Sequence, residues 1–169
     1  MNRKNLLFYL LLFIGGNVEA QTNALGIFET SADIGNPKLK GSSSYDSVNQ
    51  VYTLKGAGYN IWFQRDEFQY LFKKLKGDFI LTANFAFKGS GNEGHRKIGW
   101  MARETNQDNA THVVATWHGG DGLTAMQWRV GRGAYMRAAG DEIRATPIAY
   151  QILQLESSGQ TYILARAPP

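Results

Sequence analysis

Residues 79–87 alternate strictly. Phe79, Leu81, Ala83, Phe85 and Phe87 fall on one side of an extended chain, and Thr82 and Asn84 fall on the other. A period of two is what a half-buried strand requires, because successive side chains of a strand point to opposite faces. The segment is one of a series. Residues 51–54, 60–63, 68–75, 97–103, 112–117, 123–130, 152–156 and 161–164 read as further strands. Turn-forming runs rich in Gly, Asn, Asp and Ser separate them, at 55–58, 77–78, 89–92, 106–109, 119–122 and 157–159. Ser42-Ser43-Ser44 reads as a polar loop, and no stretch reads as a long amphipathic helix. Short strands at regular spacing with such turns predict an all-β sandwich or barrel.

The N-terminus has a different character. Arg3 and Lys4 precede an apolar run at 6–14, Gly15-Gly16 breaks it, and Val18-Glu19-Ala20 supplies a small-residue cleavage pattern. This is the layout of a signal peptide at 1–20, with Gln21 as the mature N-terminus and one domain at 21–169. The run is too short for the roughly 20 apolar residues of a spanning helix. No later segment qualifies, so no stable membrane insertion is expected after cleavage. The expected destination is the periplasm or the medium. With no cysteine in the chain, disulfides, thiolate metal sites and a lipidated N-terminal cysteine are excluded. A formal net charge of +4, lowered by one when the leader is removed, is too small an excess to argue for nucleic acid.

Three stretches carry a resemblance. The first runs from Ala32-Asp33-Ile34-Gly35 through Tyr52-Thr53-Leu54 and Gly56-Ala57-Gly58 to Asn60-Ile61-Trp62-Phe63-Gln64-Arg65-Asp66-Glu67-Phe68 and Lys76-Gly77-Asp78-Phe79. The second is His95-Arg96-Lys97-Ile98-Gly99-Trp100-Met101-Ala102-Arg103, and the third continues from 113–117 through His118-Gly119-Gly120-Asp121-Gly122 to Trp128-Arg129. Together they resemble a bacterial family of exported concanavalin A-like domains of the laminin-G/glucanase superfamily. Its members stand alone after a signal peptide or precede a Tol-type β-propeller, and many are named "biopolymer transporter". The resemblance covers 26–129, with an echo at 152–164. It implies an antiparallel two-sheet jelly-roll sandwich, and as partners a glycan or other envelope polymer, or a β-propeller protein. Two departures stand out. The chain stops at Ala165-Arg166-Ala167-Pro168-Pro169 where the family continues, which implies a C-terminally truncated sandwich lacking its last strands. Gly119-Gly120 stands where the family has one glycine, which lengthens that turn and re-aims Asp121.

Glucanases of this fold alternate acidic residues along one strand, because a retaining pair must sit only about 5–5.5 Å apart. Here no two acidic residues are separated by a single position, and Asp66-Glu67 are adjacent. No catalytic residue is therefore assigned, and the chain reads as non-enzymatic. His95, His112 and His118 are possible zinc donors, but His95 lies in a glycine-rich hairpin and His118 opens a turn. Asp108-Asn109 and Asp121 fit turns better than a calcium cage. No metal and no cofactor are expected. The Gly131-Arg132-Gly133 run lacks the lysine and helix of a phosphate loop, and Lys73, Lys74 and Lys76 read as a solvated face. Sugar binding needs an aromatic platform beside polar side chains. Of Trp62, Trp100, Trp117 and Trp128, at least two are expected in the core. Strand parity puts Trp128 and Arg129 on opposite faces. The candidate ligand-binding set is Trp62, Arg65, Asp66, His95, Arg96, His118, Asp121 and Arg129, with Arg65-Asp66 a possible structural ion pair in a turn. The expected function is non-catalytic binding of a carbohydrate or other envelope polymer. An adaptor docking on a propeller-type protein is the alternative.

Overall fold

A computed structural model describes residues 24–89, 91, 93–140, 142–144 and 150–167; the expected signal peptide at 1–20 and Pro168-Pro169 lie outside them. Among the described residues there is no helix, and hence none long and apolar enough to cross a membrane. The architecture is all-β and sandwich-like, with every strand pairing antiparallel.

The alternating segment becomes β5 (Phe79–Ala86), and its odd positions are half-buried throughout. It pairs with β11 (Tyr150–Ser158), which pairs in turn with β12 (Thr161–Ala167). The facing sheet is built on β6 (Lys97–Arg103), β7 (His112–His118) and β8 (Leu123–Arg129). Two short strands, β9 (Arg137–Ala138) and β10 (Ile143–Arg144), line the free edge of β8. Two smaller pairs complete the fold. β1 (Thr30–Ile34) lies against β4 (Phe68–Phe72), and β2 (Ser42–Asp46) forms a hairpin with β3 (Val51–Lys55).

β7 is buried along its whole length, so each of its faces must be covered. Val113 and Ala115 point to the second sheet, where they meet Leu155 of β11 amid Phe79, Trp100, Met126, Trp128 and Leu164. Trp100 donates its indole N–H across the sandwich to the Leu153 carbonyl at 3.1 Å. The opposite face carries His112, Val114, Thr116 and His118. Register adds Lys97, Met101 and Arg103 from β6, and Leu123, Gln127 and Arg129 from β8. The segment between β3 and β4 crosses this face. Ile61 packs at its centre on Val114 and Met136, with Phe68 and Met101 beside them.

The sequence reading did not anticipate β1, β9 and β10, and the structure departs from it in three further places. Ser42-Ser43-Ser44 is strand and not loop: its backbone pairs with β3 while its small side chains stay largely outside the core, so no apolar period marks it. Residues 60–63 are not a strand but a chain of bends. Their apolar residues are there to roof a sheet, not to enter one. The strand expected at 161–164 runs on to Ala167, which pairs with Ile152.

Candidate functional site

The roofed face of the β6–β7–β8 sheet carries a polar cluster at each end. His112 and His118 share this face, as their spacing of six requires, but stand at opposite ends of β7. One cluster is sealed and the other is open.

The sealed cluster is centred on Asp66 and Arg129, with side chains wholly buried. Arg129 Nη2 and Nη1 donate to Oδ1 and Oδ2 of Asp66, each at 2.7 Å. Its remaining hydrogens go to the carbonyls of Phe63 (2.8 Å), Ala110 (3.2 Å) and Ala134 (2.9 Å). All five guanidinium donors are thus used, which is what allows a full charge to be buried. Arg103 adds a longer contact to Asp66 at 3.4 Å. His112 places Nδ1 3.0 Å from the Ala110 carbonyl, so its neutral Nδ1–H tautomer fits. Burial pushes His112 down to about 4, helped by Arg129 and Arg103 and opposed by Asp66 and that hydrogen bond. This cluster ties the roof segment, the β6–β7 loop and the turn after β8 to one sheet end.

The open cluster lines a depression of about 280 Å³ bounded by Asn60, Trp62, His95, Lys97, His118, Leu123, Gln127 and Glu142. Its floor comes from the strand ends, where Lys97 lies directly opposite His118. Its rim comes from the roof segment. Lys97 Nζ donates to Asn60 Oδ1 at 3.0 Å and lies 5.7 Å from the centre of the Trp62 ring. Burial lowers Lys97 to about 8, against the pull of Asp66 and Asp121. His118 is pushed to about 4 by burial and by the Lys97 ammonium, with Asp121 opposing. Asp121 is held below the usual carboxylate range. Desolvation raises it, but the Leu123 amide, at 3.1 Å from Oδ1, and the two histidines outweigh that.

Two glycines shape this end. The amides of Gly119 and Gly120 donate to the carbonyls of Arg96 and Gly94, each at 3.0 Å, and so clasp the β7–β8 turn to the loop before β6. That clasp sets His95 beside Asp121, with Nδ1 3.4 Å from Oδ2. A Cβ on Gly120 would lie 2.4 Å from Gly94 Cα. Gly120→Ala is therefore expected to cost about 1–3 kcal/mol, as overpacking does, read as a lower urea midpoint. Gly140→Ala, with open space around its Cβ, should leave the midpoint unchanged.

The structure sorts the sequence-derived residues. Trp62, His95, His118 and Asp121 come together at the open end. Arg96 lies beside them as a clamp, donating to the carbonyls of Glu93 (3.1 Å) and Gly119 (2.9 Å) over the ring of Phe87. Asp66 and Arg129 are not at the site, because each satisfies the other beneath the roof. Arg65 does not pair with Asp66; it projects outward and meets Glu67 at 2.6 Å. Trp117 is 2% exposed and Trp100 and Trp128 pack in the core, whereas Trp62 is 37% exposed. Sequence reasoning missed Asn60, Lys97, Gln127 and Glu142. Parity alone pairs Lys97 with Gly99, Met101 and Arg103; only the strand register sets it opposite His118.

A larger depression, about 420 Å³, lies at the end of β5 and β11. Its charged groups are Asp78 and Glu156, and Asp78 accepts the Gly159 amide at 2.8 Å as part of a turn. It gathers no exposed indole and no cation. Compared with known proteins, the chain matches no family model, no curated protein and no solved structure.

Proposed function

We propose that the protein is a non-catalytic, exported binding module of concanavalin A-like jelly-roll type, which takes one unit of a carbohydrate or related envelope polymer in the depression beside Trp62. The observation that carries this reading is the pairing of a 37% exposed indole with a polar floor. Among the four tryptophans only Trp62 stands at a rim of hydrogen-bonding side chains. Sugar rings stack their apolar faces on such rings, while amide, imidazole and ammonium groups take the hydroxyls. The volume of about 280 Å³ lies just below the roughly 300–1,000 Å³ usual for small-molecule sites, which suits one sugar unit more than a whole oligosaccharide. Lys97 adds a cationic hydrogen-bond donor to the floor, and Glu142 a carboxylate to the rim.

Intrinsic fluorescence titrated with neutral and acidic oligosaccharides tests the proposal. A saturable change is expected for at least one class. Trp62→Ala should weaken it about 30-fold, the effect of removing a contact worth about 2 kcal/mol, with the circular dichroism unchanged. If every sugar leaves the fluorescence flat, the reading fails and an adaptor that docks on another protein takes its place.

A further inference from the structure

We propose that His95, His118 and Asp121 form a zinc-binding site with an open coordination position facing the Trp62 depression. This goes beyond the sugar-binding proposal and stands whether or not a sugar binds.

Two buried side chains at this end carry polar atoms without hydrogen bonds. His118 is 4% exposed, yet its Nε2 makes no hydrogen bond and its Nδ1 meets only the Asp121 carboxylate, while the buried Oε1 of Gln127 in the same depression is unsatisfied. Buried polar atoms are almost always paired, so several orphans around one hollow point to a group that arrives from outside. Lone pairs on imidazole suit a borderline metal ion.

The geometry agrees. His118 Nδ1 lies 3.3 Å from Asp121 Oδ1, and His95 Nδ1 lies 3.4 Å from Oδ2. Both separations are ion-pair distances, at the long end for hydrogen bonds. Each is close to the donor–donor edge of a tetrahedral ion, about 3.3 Å when metal–donor bonds are about 2.0–2.1 Å; they run to different oxygens of Asp121, so a turn of the carboxylate or of the His95 ring is needed for one oxygen to serve both. One donor atom from each of the three residues lies within 4.8 Å of the others. The His95 side chain is 67% exposed and its ring stands edge-on to that of His118, centroids 5.6 Å apart, so a small rotation closes the remaining distance.

The donor set selects the ion. Two imidazole nitrogens and one carboxylate favour zinc and its transition-metal neighbours over calcium or magnesium, which prefer all-oxygen shells. Three protein donors leave a fourth position of a tetrahedral ion for water or a ligand. The scaffold is already set. Asp121 is anchored by the Leu123 amide, and the glycine clasp holds both turns together. Lys97 is a repelling charge across the floor, which Asp66 and Asp121 partly offset.

The test uses untagged protein recovered from cells expressing the full 169-residue chain, stripped with EDTA, dialysed and titrated calorimetrically with zinc chloride alone. Saturable uptake of one ion per chain is expected. Substituted cobalt(II) should show the strong visible bands of a tetrahedral site. His95→Ala, an exposed change that leaves the fold intact, should weaken uptake by about 100-fold or more, beyond the 10–100-fold cost of losing an outer partner. Asp121→Asn should do the same, whereas His112→Gln at the sealed end should leave uptake unchanged. Absence of saturable uptake, or uptake that survives His95→Ala in a folded protein, would overturn the proposal.

Discussion

Asp66→Ala is expected to be the most damaging single side-chain truncation in the protein, at about 3–5 kcal/mol, because it leaves a buried guanidinium without its counter-charge. Arg129 would keep its three carbonyl acceptors but lose the bidentate carboxylate, and Arg103 would lose its contact with the same group. Arg129→Lys should be nearly as costly, since one ammonium has three donors where the guanidinium satisfies five. Urea denaturation measures both as lower midpoints at unchanged slope. The damage should also spread to the open end. Asp66 fastens the segment that carries Asn60 and Trp62, so any fraction of Asp66→Ala that remains folded should bind sugar more weakly although Asp66 touches none. A loss under about 1 kcal/mol, the usual value of an exposed pair, would show that the cluster is not sealed.

Acid should undo the fold through His112. Its folded value is about 4 against an ordinary 6.5. Above pH 6.5 the ring is neutral in both states and the full stability is present. Below 6.5 the unfolded chain takes a proton that the native site refuses, so stability falls by about 1.4 kcal/mol per pH unit. The loss continues until the native ring titrates near pH 4, for a total of about 3 kcal/mol. His118, also held near 4, adds a parallel loss in metal-free protein. His112→Gln, which keeps an N–H for the Ala110 carbonyl, should remove one histidine's share of the slope between pH 6.5 and 4. Stability measured by denaturant at half-unit intervals, with EDTA present, checks this. An identical slope in the variant would place His112 in contact with solvent.

Much of the sheet was legible in the sequence because burial imprinted it. The alternation of 79–87 and the runs at 97–103, 112–117 and 123–130 have inward faces that must be apolar, and they appear within a residue or so of their expected limits. The strand of serines at 42–46 left no such mark, since backbone pairing holds it. The roof at 60–63 imitated a strand because it buries Ile61 against one. The site was half legible for a related reason. Trp62, His95, His118 and Asp121 are unusual side chains beside glycine turns, and they drew attention one by one. Their meeting depends on how residues 93–96 and 119–122 clasp, which is a matter of register and not of composition. Asp66 and Arg129 looked like binding residues on the same grounds, for charge near an aromatic reads alike in sequence whether it is sealed or open.

The most direct test of the central claim, that the Trp62 end of the roofed sheet face is where a ligand enters, is a ¹H–¹⁵N correlation spectrum titrated with acidic and neutral oligosaccharides. Four indole N–H signals are expected, one per tryptophan, and Trp62→Phe identifies its own by deletion. The proposal predicts that the Trp62 indole and the amides of residues 94–97 and 119–123 shift together and saturate at one ligand concentration, while the Trp117 indole and the amides of 156–159 stay in place. Shifts centred on 78–80 and 156–158 with Trp62 unmoved would contradict it and relocate binding to the other depression.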